Sequence, residues 1–265
     1  MTVVGKPVAR VRPAWERLPV LTEIQDSLRA SIRADAERIG PFLVRFDAHT
    51  DSVFTNYAVP ERDAEPTAAD VAALVAAFRA RDRTPRLEYL RPCPAVDTAL
   101  EAAGFTVDQL LPMMGVERAD LVVPDVPEGV ELLDATTDDQ LAALTEAQHR
   151  AFGVEPIPRD AGVARQRTLL GEGGTLVLAL VDGVAVGGGA STGPSNGLAQ
   201  VAGIAVVPEH RGRGIASAVC GELTRRVFAA GVVPFLETEP DGKAGRLYGP
   251  IGYRTIGLSA TISLK

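Results

Sequence analysis

The stretch Val206-Val-Pro-Glu-His-Arg-Gly-Arg-Gly-Ile-Ala216 constrains the fold of this chain more than any other. Before it, Leu198–Val207 is a short apolar run with β-branched residues, the pattern of a largely buried strand. Pro208 cannot donate to a sheet and ends that strand. After it, Val219, Leu223 and Val227 recur every four residues and mark one face of a helix. The segment therefore reads as strand, basic glycine loop, helix. Gly212 and Gly214 let the backbone approach a ligand closely, and the first amides of the helix have no intrahelical partners. With the helix dipole and the charges of Arg211 and Arg213, such a loop suits a phosphate or pyrophosphate. The same residues would also serve a plain chain reversal with solvated arginines.

Three phosphate-binding patterns can be set against this loop. No Gly-x-x-x-x-Gly-Lys-Ser/Thr run occurs, and a Gly-x-Gly-x-x-Gly dinucleotide fingerprint fails because position 217 is Ser. Arg211-Gly-Arg-Gly-Ile-Ala216 matches Arg/Gln-x-x-Gly-x-Gly/Ala, the coenzyme A pyrophosphate loop, and here the chain resembles the GNAT N-acetyltransferase superfamily. Asp241-Gly-Lys-Ala-Gly-Arg-Leu-Tyr248-Gly-Pro-Ile-Gly-Tyr253 extends the resemblance, being similar to the later Asn-x-x-Ala-x-x-Leu-Tyr-x-x-x-Gly-Phe of that family. Asp241 stands where the family has Asn, which puts one cofactor hydrogen bond in question.

Length and composition narrow the classes. The 265 residues suggest one large or two small domains, and 46% hydrophobic residues are ample for a core. A net charge of −7 argues against a nucleic-acid partner. Cys93 and Cys220 form no Cys-x-x-Cys motif and no His cluster accompanies them, so neither a disulfide framework nor a metal site is expected. No apolar run reaches the ~18 residues of a membrane span, and no signal-like N-terminus is present. A cytoplasmic protein is the expectation, with a homodimer possible.

In chain order, Val20, Ile24, Leu28 and Ile32 predict a helix stopped by Gly40-Pro41. Strands follow at Phe42–Phe46, Val53–Val59 and Arg86–Leu90, helices after Pro66-Thr67 and over Val96–Ala103, and one or two strands within Phe105–Val116. Three short pieces then recur. Val59-Pro-Glu returns as Val207-Pro-Glu and Gly104-Phe as Gly252-Tyr, each 148 residues later, and Pro85-Arg-Leu-Glu returns as Pro234-Phe-Leu-Glu after 149. This predicts a degenerate internal duplication: residues 1–120 as a first domain, 121–129 as linker, 130–265 as a second. Where the second copy has its glycine loop, the first has Asp63-Ala-Glu-Pro-Thr-Ala68, without glycine and with two carboxylates. The first copy is therefore expected to lack a cofactor site, to be truncated, and to shape the substrate pocket. In the second, the order β-α-α-β-β-β-α-β-α-β-β is the one the family shows. The fold class expected is α/β (α+β), two GNAT-like domains, each a mixed, mostly antiparallel sheet flanked by helices.

The resemblance implies acetyl transfer from acetyl-CoA to an amine of a small molecule or peptide by direct attack. It places Ile204, Ala205 and Val206 on the strand that offers backbone groups to pantetheine. It puts Arg211, Gly212, Arg213, Gly214, Ile215, Ala216 and Asp241 around the cofactor, and Tyr248 as the acid that protonates the leaving thiolate. A phenol with an ordinary pKa near 10 is apt for that task. Glu237, on the next strand, is a candidate base; Glu88 occupies the matching place in the first copy, which favours a structural role instead. His49, His149 and His210 are scattered, so no nucleophilic triad is suggested. Other readings are a coenzyme-A-binding pseudoenzyme or sensor, and an acyltransferase using another acyl-CoA.

Overall fold

The computed structural model describes residues 20–33, 36–47, 55–240 and 243–265. The first part of the chain runs α1 (Val20–Arg33), β1 (Ala36–Ile39), β2 (Phe42–Arg45), β3 (Tyr57–Pro60), α2 (Ala68–Arg79), β4 (Arg86–Arg91), α3 (Pro94–Ala102) and β5 (Thr106–Gly115). The second runs β6 (Val130–Asp134), α4 (Asp138–Phe152), α5 (Arg159–Gly171), β7 (Thr175–Val181), β8 (Val184–Ser191), β9 (Leu198–Val206), α6 (Ile215–Ala229), β10 (Val233–Glu237), α7 (Lys243–Tyr248) and β11 (Arg254–Ser263). Among the described residues no helix is long and apolar enough to cross a membrane.

β1 is an element the sequence pattern missed. Ala36-Glu-Arg-Ile has no alternation of its own, and it becomes a strand by pairing with β2 across the turn at Gly40-Pro41. The strand expected from Val53 begins only at Tyr57, and 51–54 lie outside the described residues.

All strands join one sheet in the order β1-β2-β3-β4-β11-β5-β10-β9-β8-β7-β6. β5 and β11 occupy Thr106–Gly115 and Arg254–Ser263, 148 residues apart, and α3 and α7 are offset alike. These two strands pair with each other antiparallel, and each then pairs with the other half: β11 with β4, β5 with β10. The second half accordingly ends on one strand after α7, not the two expected, and β5 fills the missing position. The sheet is thus closed in its middle by an exchange of C-terminal strands about a pseudo-twofold axis.

Helices cover both faces. Val219, Leu223 and Val227 of α6 bury against Val177, Val201 and Leu236 on one face, and Leu141 and Leu144 of α4 against Leu176 and Leu178 on the other. The run Gly187-Gly-Gly189 in β8 lets both helices approach. A Cβ on Gly188 would meet the Leu144 side chain at 2.4 Å, and one on Gly189 would meet Ile204 at 2.7 Å and Leu223 at 3.0 Å. On the α4 face, α1 belongs to both halves, because Val20 and Ile24 pack with Leu90 of β4, Met113 of β5 and Leu198 of β9.

The exchange generates a prediction. A fragment of residues 121–265 loses β5, the strand between β10 and β11, and exposes two edges in the centre of the sheet. It is expected to aggregate or to melt without a cooperative transition by circular dichroism, whereas the full chain unfolds cooperatively. A monomeric, cooperatively folding fragment would contradict this topology.

Candidate active site

β9 and β10 are parallel neighbours, but they pair only over Leu198–Gln200 opposite Val233–Phe235. Beyond that point β9 continues to Val206 beside β8 alone, while Leu236 and Glu237 pair with β5. The sheet therefore opens into a gap about 20 Å long, at roughly 3.3 Å per residue, from Gln200 to Val206. A bulge sits in its wall. Gly188 faces Ala205 and Ala190 faces Ala202, so β9 carries one extra residue near Gly203, whose φ is +63° and whose carbonyl accepts from Gln148 Nε2 at 2.9 Å. Ile204, Ala205 and Val206 follow this bulge along the open edge.

At the end of the gap the chain makes one 3₁₀ turn, Pro208–His210, then the glycine loop, then α6. Gly212 and Gly214 have φ of +75° and +81°, which glycine adopts without strain. α6 starts from Gly214 with no side chain capping its first turn. The amides of Ile215, Ala216 and Ser217 consequently face a cleft of about 470 Å³ lined by Val206, His210, Arg211, the two glycines, Arg246 and Leu247. An ideal Cβ on Gly212 meets nothing within 4 Å, so the cradle is open. Its donor set, free amides at a helix N-terminus with cations beside them, fits a diphosphate.

The two loop arginines diverge. Arg211 turns inward, its Nε donating to the Val206 carbonyl at 3.0 Å and its Nη2 to the Ala151 carbonyl at 2.7 Å. Its own amide is already turned to the Pro208 carbonyl. Arg211 therefore ties the loop to the ends of β9 and α4, with two of its guanidinium nitrogens on backbone carbonyls, while it still lines the cleft. Arg213 stays at the surface, hydrogen-bonded to His210 Nδ1 at 2.9 Å. Arg246, which the sequence reading passed over, lines the cleft from α7. The motif that located Tyr248 contains it, two residues earlier. Asp241 lies outside the described residues.

Tyr248 and Glu237 flank β10 on opposite faces. Tyr248 packs edge-on against Tyr253 with ring centroids 6.2 Å apart, in the core that also holds Leu236 and Cys220. Burial, with a smaller contribution from Cys220, pushes its phenol up to about 12, so it remains a proton donor at neutral pH. Tyr253 has a fixed structural task, its hydroxyl bonded to Thr224 Oγ1 at 2.9 Å while that oxygen donates to the Cys220 carbonyl. Glu237 points the other way, into a cavity of about 560 Å³ roofed by Ile24 and Leu28 of α1 and bounded by Gln200, Phe235 and Met113. Burial raises its carboxyl pKa, a hydrogen bond with Ser259 lowers it, and the charges of Glu88 and Glu239 raise it. Glu88 lines the same cavity. The first half thus supplies one wall of the chamber that the gap opens into.

The first half fills part of its own version of this site, leaving a cavity of about 360 Å³. β3 and β4 pair in parallel at Ala58 and Leu87 alone. There α1 fills the gap, Gln25 Oε1 accepting from the Leu90 amide at 2.6 Å and Arg29 Nε donating to the Pro60 carbonyl at 2.8 Å. At the start of α2, Thr67 and Asp70 form a reciprocal capping box, so one of the amides left uncapped in α6, that of the third helical residue, is satisfied here by a side chain.

Residues 139–253 match the model of the acetyltransferase (GNAT) family. No curated protein is a significant match for the chain. Among solved structures, a GCN5-related N-acetyltransferase from Kribbella flavida is 23% identical with a TM-score of 0.72, over 93% of this chain and 96% of that one. One from Sphaerobacter thermophilus is 18% identical with a TM-score of 0.61, over 79% and 71%. A tandem GNAT protein from the clavulanic acid biosynthesis pathway is 14% identical with a TM-score of 0.61, over 92% and 94%. These likenesses establish the fold.

The divergent arginines can be told apart by experiment. Arg211→Ala is expected to lower the melting temperature by about 3 °C, for a loss of about 1 kcal/mol from two charge-assisted bonds at an exposed side chain. It should leave the affinity for coenzyme A within about threefold. Arg246→Ala should do the reverse, with an unchanged melting curve and weaker binding by calorimetry.

Proposed function

We propose that this chain is an acyltransferase of the GNAT type, which moves an acetyl group from acetyl-CoA to a primary amine by direct attack. The observation that carries the reading is the uncapped N-terminus of α6 at one end of the gap between β9 and β10. The amides of Gly212–Ala216, with Arg213 and Arg246, would hold the diphosphate, and Asp241 is proposed to add a further contact. The open edge of Ile204–Val206 would pair with the pantetheine amides, and acetyl-CoA supplies the activated thioester.

This chain's groups then divide the proton work. Glu237, on the cavity side, takes the proton of the attacking amine, directly or through a water. The amides along Ile204–Val206 donate to the carbonyl oxygen as it gains charge. Tyr248, on the α6 side, gives its proton to the departing thiolate and regains one from solvent. One N–C bond forms, one C–S bond breaks, and the products are the amide and coenzyme A.

Three variants test these assignments in a thiol-release assay with acetyl-CoA over a panel of amines. Gly214→Asp places a carboxylate in the diphosphate cradle and is expected to weaken acetyl-CoA binding about tenfold or more, with an unchanged circular dichroism spectrum. Tyr248→Phe is expected to lower kcat roughly 100-fold with little change in cofactor affinity; full retention of kcat would remove the phenol as the acid. Glu237 acts as its carboxylate, and burial shifts its pKa upward. Activity should therefore fall as pH drops through a value above the ordinary carboxylate range near 4.3, and Glu237→Gln should abolish that limb while leaving the limb of the amine itself. Coenzyme A binding without turnover of any amine would favour a sensor.

A further inference from the structure

The cavity on the α1 face also limits the charge of the acceptor, an inference that rests on the acetyl-transfer reading. Its volume of about 560 Å³ falls in the range of small-molecule sites, which run from about 300 to 1,000 Å³. Its charged lining consists of Arg86, Glu88 and Glu237. Arg86 and Glu88 form an ion pair on β4, with Nη2 at 2.9 Å and Nε at 3.3 Å from Glu88 Oε1. Glu237 faces no cation of the lining; its side-chain partner is the hydroxyl of Ser259. Among the described residues the chamber thus carries one uncompensated negative charge, half withdrawn from water.

A buried carboxylate of this kind is most stable against a single cation, which offsets its desolvation. A second ammonium would find neutral amides and hydroxyls, Gln109, Gln200 and Thr261 among them, and a Glu88 carboxylate already paired with Arg86, whose guanidinium would repel it. A carboxylate on the ligand would sit in a net negative chamber. Phe235, Met113 and Leu111 offer apolar surface for the remainder. We propose that the acceptor is a small, singly charged primary amine, its ammonium against Glu237 and its uncharged, partly apolar body in the chamber between the two halves.

Matched probes isolate the charge. Hexylamine and 1,6-diaminohexane differ by one ammonium, and phenethylamine and phenylalanine by one carboxylate. Binding of each to the full-length protein saturated with coenzyme A is measured by calorimetry, and turnover with acetyl-CoA by thiol release. Each simple amine is expected to bind, and to be acetylated, at least tenfold better than its partner. Gln109→Glu, on the exposed stretch of β5, gives the chamber a second carboxylate without a cationic partner beside Glu237 and should shift the hexylamine-to-diamine ratio at least fivefold towards the diamine, with acetyl-CoA affinity unchanged.

Equal or better binding of the diamine or of phenylalanine would overturn the proposal, as would an unmoved ratio in Gln109→Glu. Transfer to a tetrapeptide amine with no binding of the small amines would overturn it while sparing the acetyl-transfer reading. Selective binding of the simple amines without turnover would uphold the charge assignment and sink acetyl transfer.

Discussion

The antiparallel pairing of β5 with β11 is the contact on which the architecture rests. Each strand belongs by chain order to one half and by hydrogen bonding to both, so the two sheets become one and cannot separate without breaking their centre. The exchange also fixes where α1 lies. With Leu90, Met113 and Leu198 brought onto neighbouring strands, a single helix face can bury against both halves. That helix roofs the chamber into which Glu237 points, so the wall of the candidate acceptor site follows from a strand pairing well removed from the glycine loop.

A second constraint is the treatment of unpaired backbone. Two parallel strands that part leave donors and acceptors without partners, and such groups are costly once buried. The two halves meet this cost differently. In the first, Gln25 and Arg29 reach into the gap and Thr67 caps the helix beside it. In the second, Gln148 and Arg211 bind the Gly203 and Val206 carbonyls of β9, but no side chain caps the start of α6, and two glycines at positive φ keep the approach open. The two halves therefore differ in what enters the gap, and the difference lies in a few residues. The absence of glycines at 63–68 is only part of it, since α1 also reaches into that gap.

The opposed placement of Tyr248 and Glu237 follows from strand alternation. Leu236 faces the α6 core with Tyr248, so its neighbour Glu237 must face the other way. Burial pushes both pKa values upward, keeping the phenol protonated and making the carboxylate a stronger base. One desolvating environment thus suits two opposite proton tasks because the two groups differ in charge type.

Much of this was legible from local pattern. The strand, loop and helix around 198–230 and the start of α2 at Pro66-Thr67 depend on residues near one another in sequence, where periodicity and turn chemistry act directly. The exchange of β5 and β11 was not legible, because both strands have the same apolar pattern whichever neighbour they choose, and only the assembled sheet decides. β1 escaped for the same reason, being a strand only by its pairing with β2. Arg211 shows the limit at single-residue scale: its place in the motif suggested an anion, but two carbonyls brought near by folding, one of them sixty residues away, claim its guanidinium. Residue type and spacing determined which elements form and which groups could bind a diphosphate. Tertiary structure decided which of those groups remain free, since a donor's availability depends on everything packed around it.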